Sequence, residues 1–167
     1  MKDYLFALML CLGTMHVADA QQVSLSELIS IRSGDLDKAN QILLPRGWVF
    51  KGRQPHVVPA TEENCLYDVL TWDNQSILSS SYITVKIGKN CGNYVSLQTI
   101  EVQTFYAIRA EIEKYSMKLL NTEVTEDKDG STWTISVFTG AKYEVDMAIW
   151  TSPNKASNQY NVNLYLK

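Results

Sequence analysis

The stretch LLPRGWVFKG, residues 43–52, decides how the chain is divided. A helical period runs into it, because Leu36, Ala39 and Leu43 fall at i, i+3 and i+7 on one helix face. Pro45 and Gly47 end that helix: proline cannot continue the hydrogen-bond ladder, and glycine accepts the left-handed turn that closes it. Trp48 and Phe50 then stand two positions apart, the spacing of one strand face. The joint has a counterpart 69 residues on, in YSMKLL, residues 115–120. There Phe105, Ile108 and Ile112 supply the helix face, with Thr104 as the expected N-cap. Ser116 stands in for Gly47, and Met117 and Leu119 replace Trp48 and Phe50. Since plain apolar side chains take the place of the rings, Trp48 and Phe50 are expected to fill core.

Outward from the joints the apolar period changes from about 3.6 to 2. Ile83, Val85 and Ile87 alternate with polar neighbours, as do Trp133, Ile135 and Val137; Tyr143, Val145, Met147 and Ile149; and Tyr160, Val162, Leu164 and Leu166. LYDVLTWD, residues 66–73, is a further strand with blurred alternation. Upstream, Ser24 and Glu27 form a capping-box pattern ahead of Leu25, Leu28 and Ile29, and RSGD ends that short helix. The expected fold is α+β: two tandem helix-then-antiparallel-strands units, about residues 24–99 and 100–167. Their helices should lie on one face of a curved antiparallel sheet, by analogy with beta-lactamase-inhibitor-like folds. The apolar alternates, Trp133 and Ile135 among them, are expected to pack beneath the helices.

The N-terminus sets the expected compartment. Lys2, the apolar run Tyr4 to Met15 and the small-x-small triplet ADA (Ala18 to Ala20) make residues 1–20 a signal peptide. A retained anchor is the alternative, and the short run speaks against it. Residues 21–167 then form a single α+β domain, exported to the periplasm or cell surface. Removing Lys2, Asp3 and Asp19 from the 15 basic and 18 acidic residues leaves 14 and 16. With that balance and no basic cluster, no nucleic-acid partner is expected. No second apolar stretch is long enough to cross a membrane once the signal is removed. Cys65 and Cys91 are candidates for a disulfide closing a loop of about 27 residues, worth on the order of 3 kcal/mol; two buried thiols are the other reading.

LSELISI with LDKANQILLPRGWVF, then FYAIRAEIEKYSMKLL, then YEVDMAIWT with YNVNLYLK, together resemble small exported proteins of unknown function common in Bacteroidota. The likeness covers most of the chain after residue 20. It implies a periplasmic or surface location and attaches no activity, ligand or catalytic residue.

Catalytic chemistry finds little footing. After the leader His56 is the only histidine, and there is no Gly-x-Ser-x-Gly elbow, Cys-x-x-Cys pair or phosphate-binding glycine loop. DKDG, residues 127–130, hints at calcium, but the twelfth position of such a loop is Phe138, where a bidentate acid is needed, so a hairpin turn is expected. No metal or cofactor is expected. What stands out is the strand face opposite the helices, where Tyr82, Tyr94, Trp150 and Tyr165 interleave with Asn161 and Asn163. Such a mixture suits a protein or carbohydrate ligand, since rings give contact area at low entropy cost and amides adapt their hydrogen bonds. The functional expectation is an exported, non-enzymatic binding protein, with Trp150 and Tyr82 foremost. The alternative is a carboxylate-dependent hydrolase of envelope polysaccharide; nothing in the sequence selects its pair of acids, and Glu144 and Asp146, which share a strand face, are explained equally by a solvated sheet surface. Nothing in the sequence sets the oligomeric state.

Overall fold

The computed structural model describes residues 22–57, 66–74, 80–88 and 92–167. The leader, Cys65 and Cys91 lie outside the described residues. In chain order come α1 (Leu25–Ser33), α2 (Leu36–Leu43), a 3-10 turn (Leu44–Arg46), β1 (Val49–Val57), β2 (Leu66–Asp73), β3 (Tyr82–Gly88) and β4 (Tyr94–Thr99). Then follow α3 (Val102–Lys114), β5 (Lys118–Glu126), β6 (Thr132–Thr139), β7 (Tyr143–Thr151) and β8 (Gln159–Leu166). Among the described residues no helix is long and apolar enough to cross a membrane.

All eight strands join one antiparallel sheet in the order β1-β2-β3-β4-β8-β7-β6-β5. This corrects the expected architecture of two helix-then-strands units with helices laid over a curved sheet on the beta-lactamase-inhibitor pattern. The sheet is continuous because β4 pairs directly with β8, Val95 opposite Leu164 and Leu97 opposite Val162. Both strands present buried aliphatic side chains to the same side, so they continue one another instead of ending two separate layers. The helices cannot cover what results. At ~1.5 Å per residue, 9, 8 and 13 residues make rods of about 14, 12 and 20 Å, whereas eight strands at ~4.8 Å spacing extend roughly 34 Å. Accordingly α1 and α3 make their main sheet contacts with β4 and β8, and the sheet dominates the molecule.

The core lies between those helices and the middle of the sheet. Leu28 and Ile31 of α1 and Ile108 and Ile112 of α3 are fully buried, together with Val95 and Leu97 of β4 and Val162 and Leu164 of β8. Ser24 caps α1 with the reciprocal Glu27 bond that its sequence implies. By contrast α3 begins three residues before the expected Thr104: Glu101 is the N-cap position, and the Thr104 hydroxyl donates to the Glu101 carboxylate over 3.2 Å.

Both joints are built alike. Gly47 has φ 83° and Ser116 φ 54°, each in the left-handed region. Past them the Trp48 N–H donates to the Leu43 carbonyl (3.2 Å) and the Met117 N–H to the Ile112 carbonyl (3.3 Å). Trp48 and Met117 are buried, 3% and 7% exposed. The pairing also slips at matching places, between Phe50 and Gly52 in β1 and between Leu119 and Asn121 in β5. A non-glycine residue at positive φ carries a penalty of roughly 1–2 kcal/mol, part of which glycine returns as unfolded-state entropy. Ser116→Gly should therefore stabilise the fold by about 0.5 kcal/mol and Gly47→Ala destabilise it by about 1 kcal/mol. Urea unfolding of the two variants measures both signs.

Candidate binding face

Strand register places the six residues of the predicted binding face, Tyr82, Tyr94, Trp150, Asn161, Asn163 and Tyr165, on the sheet face away from the helices. Along β8, Val162 and Leu164 are buried on the helix side while Asn161, Asn163 and Tyr165 project from the other. Cross-strand pairing extends this alternation in rows. Tyr82, Gln98, Asn161, Ala148, Ile135 and Glu123 lie side by side from β3 to β5, with Thr84, Ser96, Asn163, Asp146, Val137 and Asn121 in the next row.

The register overturns one expectation. Trp133, Ile135 and Val137 of β6 pair with Trp150, Ala148 and Asp146 of β7, so they lie on the helix-free face. Thr134, Ser136 and Phe138 take the helix side instead, with Arg109 of α3 stacked 3.9 Å over the Phe138 ring. The physical reason is that β7 has the stronger claim on the core: Val145 and Met147 are buried against it, and the hairpin through Gly140 locks β6 to β7 in a register that opposes their apolar alternates.

The outcome is an apolar patch on an otherwise polar face. A depression of about 520 Å³ opens there, walled by Trp133 and Ile135, with Ala148, 6% exposed, as its floor. Gln98, Gln159, Asn161 and Asn163 rim it with amides, and Asp146 and Thr125 supply one carboxyl and one hydroxyl. Trp150 lies beside it, its ring 6.2 Å from that of Trp133 and held on one side by Lys155 at 4.5 Å. Burial raises the Asp146 pKa above the ordinary carboxyl value; neighbouring Glu144 adds to that, while the Tyr165 hydroxyl works the other way. Tyr165 itself is pushed up, chiefly by burial and then by the Asp146 charge.

The predicted residues therefore separate into four places. Asn161 and Asn163 belong to the depression, Trp150 flanks its end, and Tyr82 lies beyond Gln98, 37% exposed. Tyr94 and Tyr165 stack on each other at 5.3 Å with Tyr67 against Tyr94 at 5.8 Å, and Lys86 lies 4.8 Å over the Tyr94 ring. Tyr165 stands six positions along β8 from Gln159, about 20 Å, but only two from Asn163, so the tyrosine cluster adjoins the Asp146 end of the depression and lies far from its Trp150 end. Sequence reasoning missed Trp133, Ile135, Ala148 and Gln159 as site residues. Only the parity of the short β6–β7 connection carried that signal.

Other sequence motifs are explained by structure alone. The DKDG turn closes the β5–β6 hairpin, with the Asp127 N–H donating to the Ser131 carbonyl at 2.8 Å and Gly130 at φ 78°. Asn74 of the glycosylation-like triplet NQS is buried and accepts from the Ser81 N–H at 3.1 Å, so it is closed to modification in the folded chain. Among the described residues no group of three His, Cys, Asp or Glu side chains could hold a metal ion. No family model, curated protein or solved structure matches the chain.

An acid whose folded pKa lies above its unfolded value binds its proton more tightly when folded. Its stabilising contribution is therefore present below the unfolded value and is lost as pH rises through the folded one. Asp146→Asn should accordingly be more stable than the parent above that window, with the difference vanishing in acid. Thermal unfolding of both proteins between pH 3 and pH 8 reads the trend; a variant less stable at neutral pH would refute it.

Proposed function

We propose that this is an exported, non-enzymatic binding protein, working in the periplasm or at the cell surface through the helix-free face of its sheet. One observation carries the reading: β6 turns Trp133 and Ile135 away from the core and surrounds them with amides. Apolar side chains left on a surface and rimmed by polar groups mark binding sites more often than scattered ones do. Both side chains are half-buried, whereas Val145, Val162 and Leu164 on the helix side of the neighbouring strands are fully buried. A protein or a carbohydrate ligand could use such a surface.

The rival hydrolase reading asks for two carboxyl groups flanking one bond, separated by roughly 5–9 Å. Asp146 is the one carboxyl among the described residues lining the depression; Glu144, about 7 Å along the same strand face, stands opposite Tyr165 and outside that lining. A single carboxyl within the depression supports binding over hydrolysis. The test is retention of the immobilised protein's ligand from an envelope extract separated into protein and glycan fractions. A Trp133→Ala, Trp150→Ala double variant should lose it, and a helix-side Tyr106→Ala control should keep it. Equal retention by both variants would refute the reading.

A further inference from the structure

We propose that the depression takes a neutral, hydroxyl-rich chain, a glycan with no net charge; this rests on the binding reading above. Most of the depression lies over β4, β8, β7 and β6, each of which has a strand on both sides, and it reaches the edge strand β5 only at Thr125. Across the four inner strands the N–H and C=O groups are committed to the sheet, so a peptide strand could pair only along the outer side of β5, away from the Trp133 wall. Recognition falls to side chains. Four amides, each both donor and acceptor, face the ligand with one hydroxyl, and that is the complement of a surface of hydroxyl groups.

Charge narrows the choice. Among the described residues that line the depression none is Lys, Arg or His, and Asp146 is acidic. An anionic ligand would meet the Asp146 carboxylate and no cation among the lining residues, Lys155 lying outside them on the Trp150 ring. Asp146 is a lone carboxyl among four amides, the arrangement of an acceptor for hydroxyls more than of a cation cage, which would ask for further acidic or aromatic walls. The apolar wall fits as well. The negative face of the Trp133 indole attracts the weakly positive C–H bonds that line one face of a sugar ring. A volume of about 520 Å³ is within the range of small-molecule sites, and its open side lets a chain run past the rim. A shallow, solvated site of this sort binds weakly, with a dissociation constant on the order of 0.1–1 mM.

The test is titration of the isotope-labelled protein, observed at the Trp133 indole and the Asn161 and Asn163 amide signals. Probes are cellohexaose, maltohexaose and mannohexaose as neutral chains, with oligogalacturonate as an acidic chain and trialanine as a peptide. Saturable shifts of those signals with at least one neutral chain are expected, weakened tenfold or more by Trp133→Ala and severalfold by Asn161→Ala. Asp146→Asn, which removes the one acidic charge of the lining, should narrow the preference for neutral over acidic chains. Response to the acidic chain or the peptide alone would overturn the glycan inference and leave the binding face standing. No response of these signals to any neutral chain would likewise overturn it, while envelope retention by the double variant decides the broader reading.

Discussion

Trp72→Ala should lower the unfolding free energy by about 3–5 kcal/mol, among the largest losses from a single truncation in this chain. Trp72 is fully buried on the helix side of β2. Its ring lies 5.0 Å from that of Phe50 on β1, and its indole N–H donates to the Asn40 side-chain oxygen of α2 at 3.0 Å. One side chain thus ties the second helix to an outer strand pair that the short helices otherwise leave open. Truncation removes a large apolar area, opens a cavity where an edge strand meets α2, and leaves the Asn40 acceptor without its donor. Trp72→Phe separates the terms: it keeps most of the volume and should cost only about 1–2 kcal/mol. Equal losses from the two variants, in guanidinium unfolding, would contradict this division.

The seam between β4 and β8 should be still less tolerant. Val162 is fully buried, with Leu97 opposite on one side and Met147 on the other. Val162→Asp places a charge among aliphatic groups with no counter-charge and no room for water, and the cost, above roughly 4 kcal/mol, rivals the whole stability of a domain this size. The expected result is loss of the cooperative unfolding transition. Asn161→Asp, one residue away, projects from the opposite face and should cost less than about 1 kcal/mol. Similar behaviour of the two variants would mean that the face assignment of β8 is wrong.

Much of this fold is legible in the sequence, though not its assembly. Both joints can be read from residues, since Pro45 and Gly47 or Ser116 stop a helix whose apolar face is plain, and Trp48 and Met117 then fill core. The strands announce themselves by their alternation. Their order does not, because pairing β4 with β8 unites segments more than sixty residues apart, and nothing local encodes that choice. Face assignment of β6 is invisible for a different reason. A period of two says which residues share a side; it cannot say which side meets the core. The strand Thr132 to Thr139 has its larger apolar set on one face and Phe138 on the other, and the register with β7 chooses Phe138. The candidate depression arises from that choice, so sequence could supply Asn161, Asn163 and Trp150 and leave its apolar wall unseen. The tyrosines at 94 and 165 form their own stacked cluster, six positions along β8 from the Trp150–Gln159 pair.

The four tryptophans offer the most direct measurement, since Trp48 and Trp72 are core while Trp133 and Trp150 lie on the helix-free face. Their indole N–H signals can be recorded with a neutral gadolinium chelate in solution, first alone and then with the neutral oligosaccharide that binds best. The account predicts strong broadening of Trp133 and Trp150, little of Trp48 and Trp72, and relief of the Trp133 broadening as the sugar is added. A Trp133 signal as protected as that of Trp72 before any ligand is present would place β6 the other way round and contradict the account.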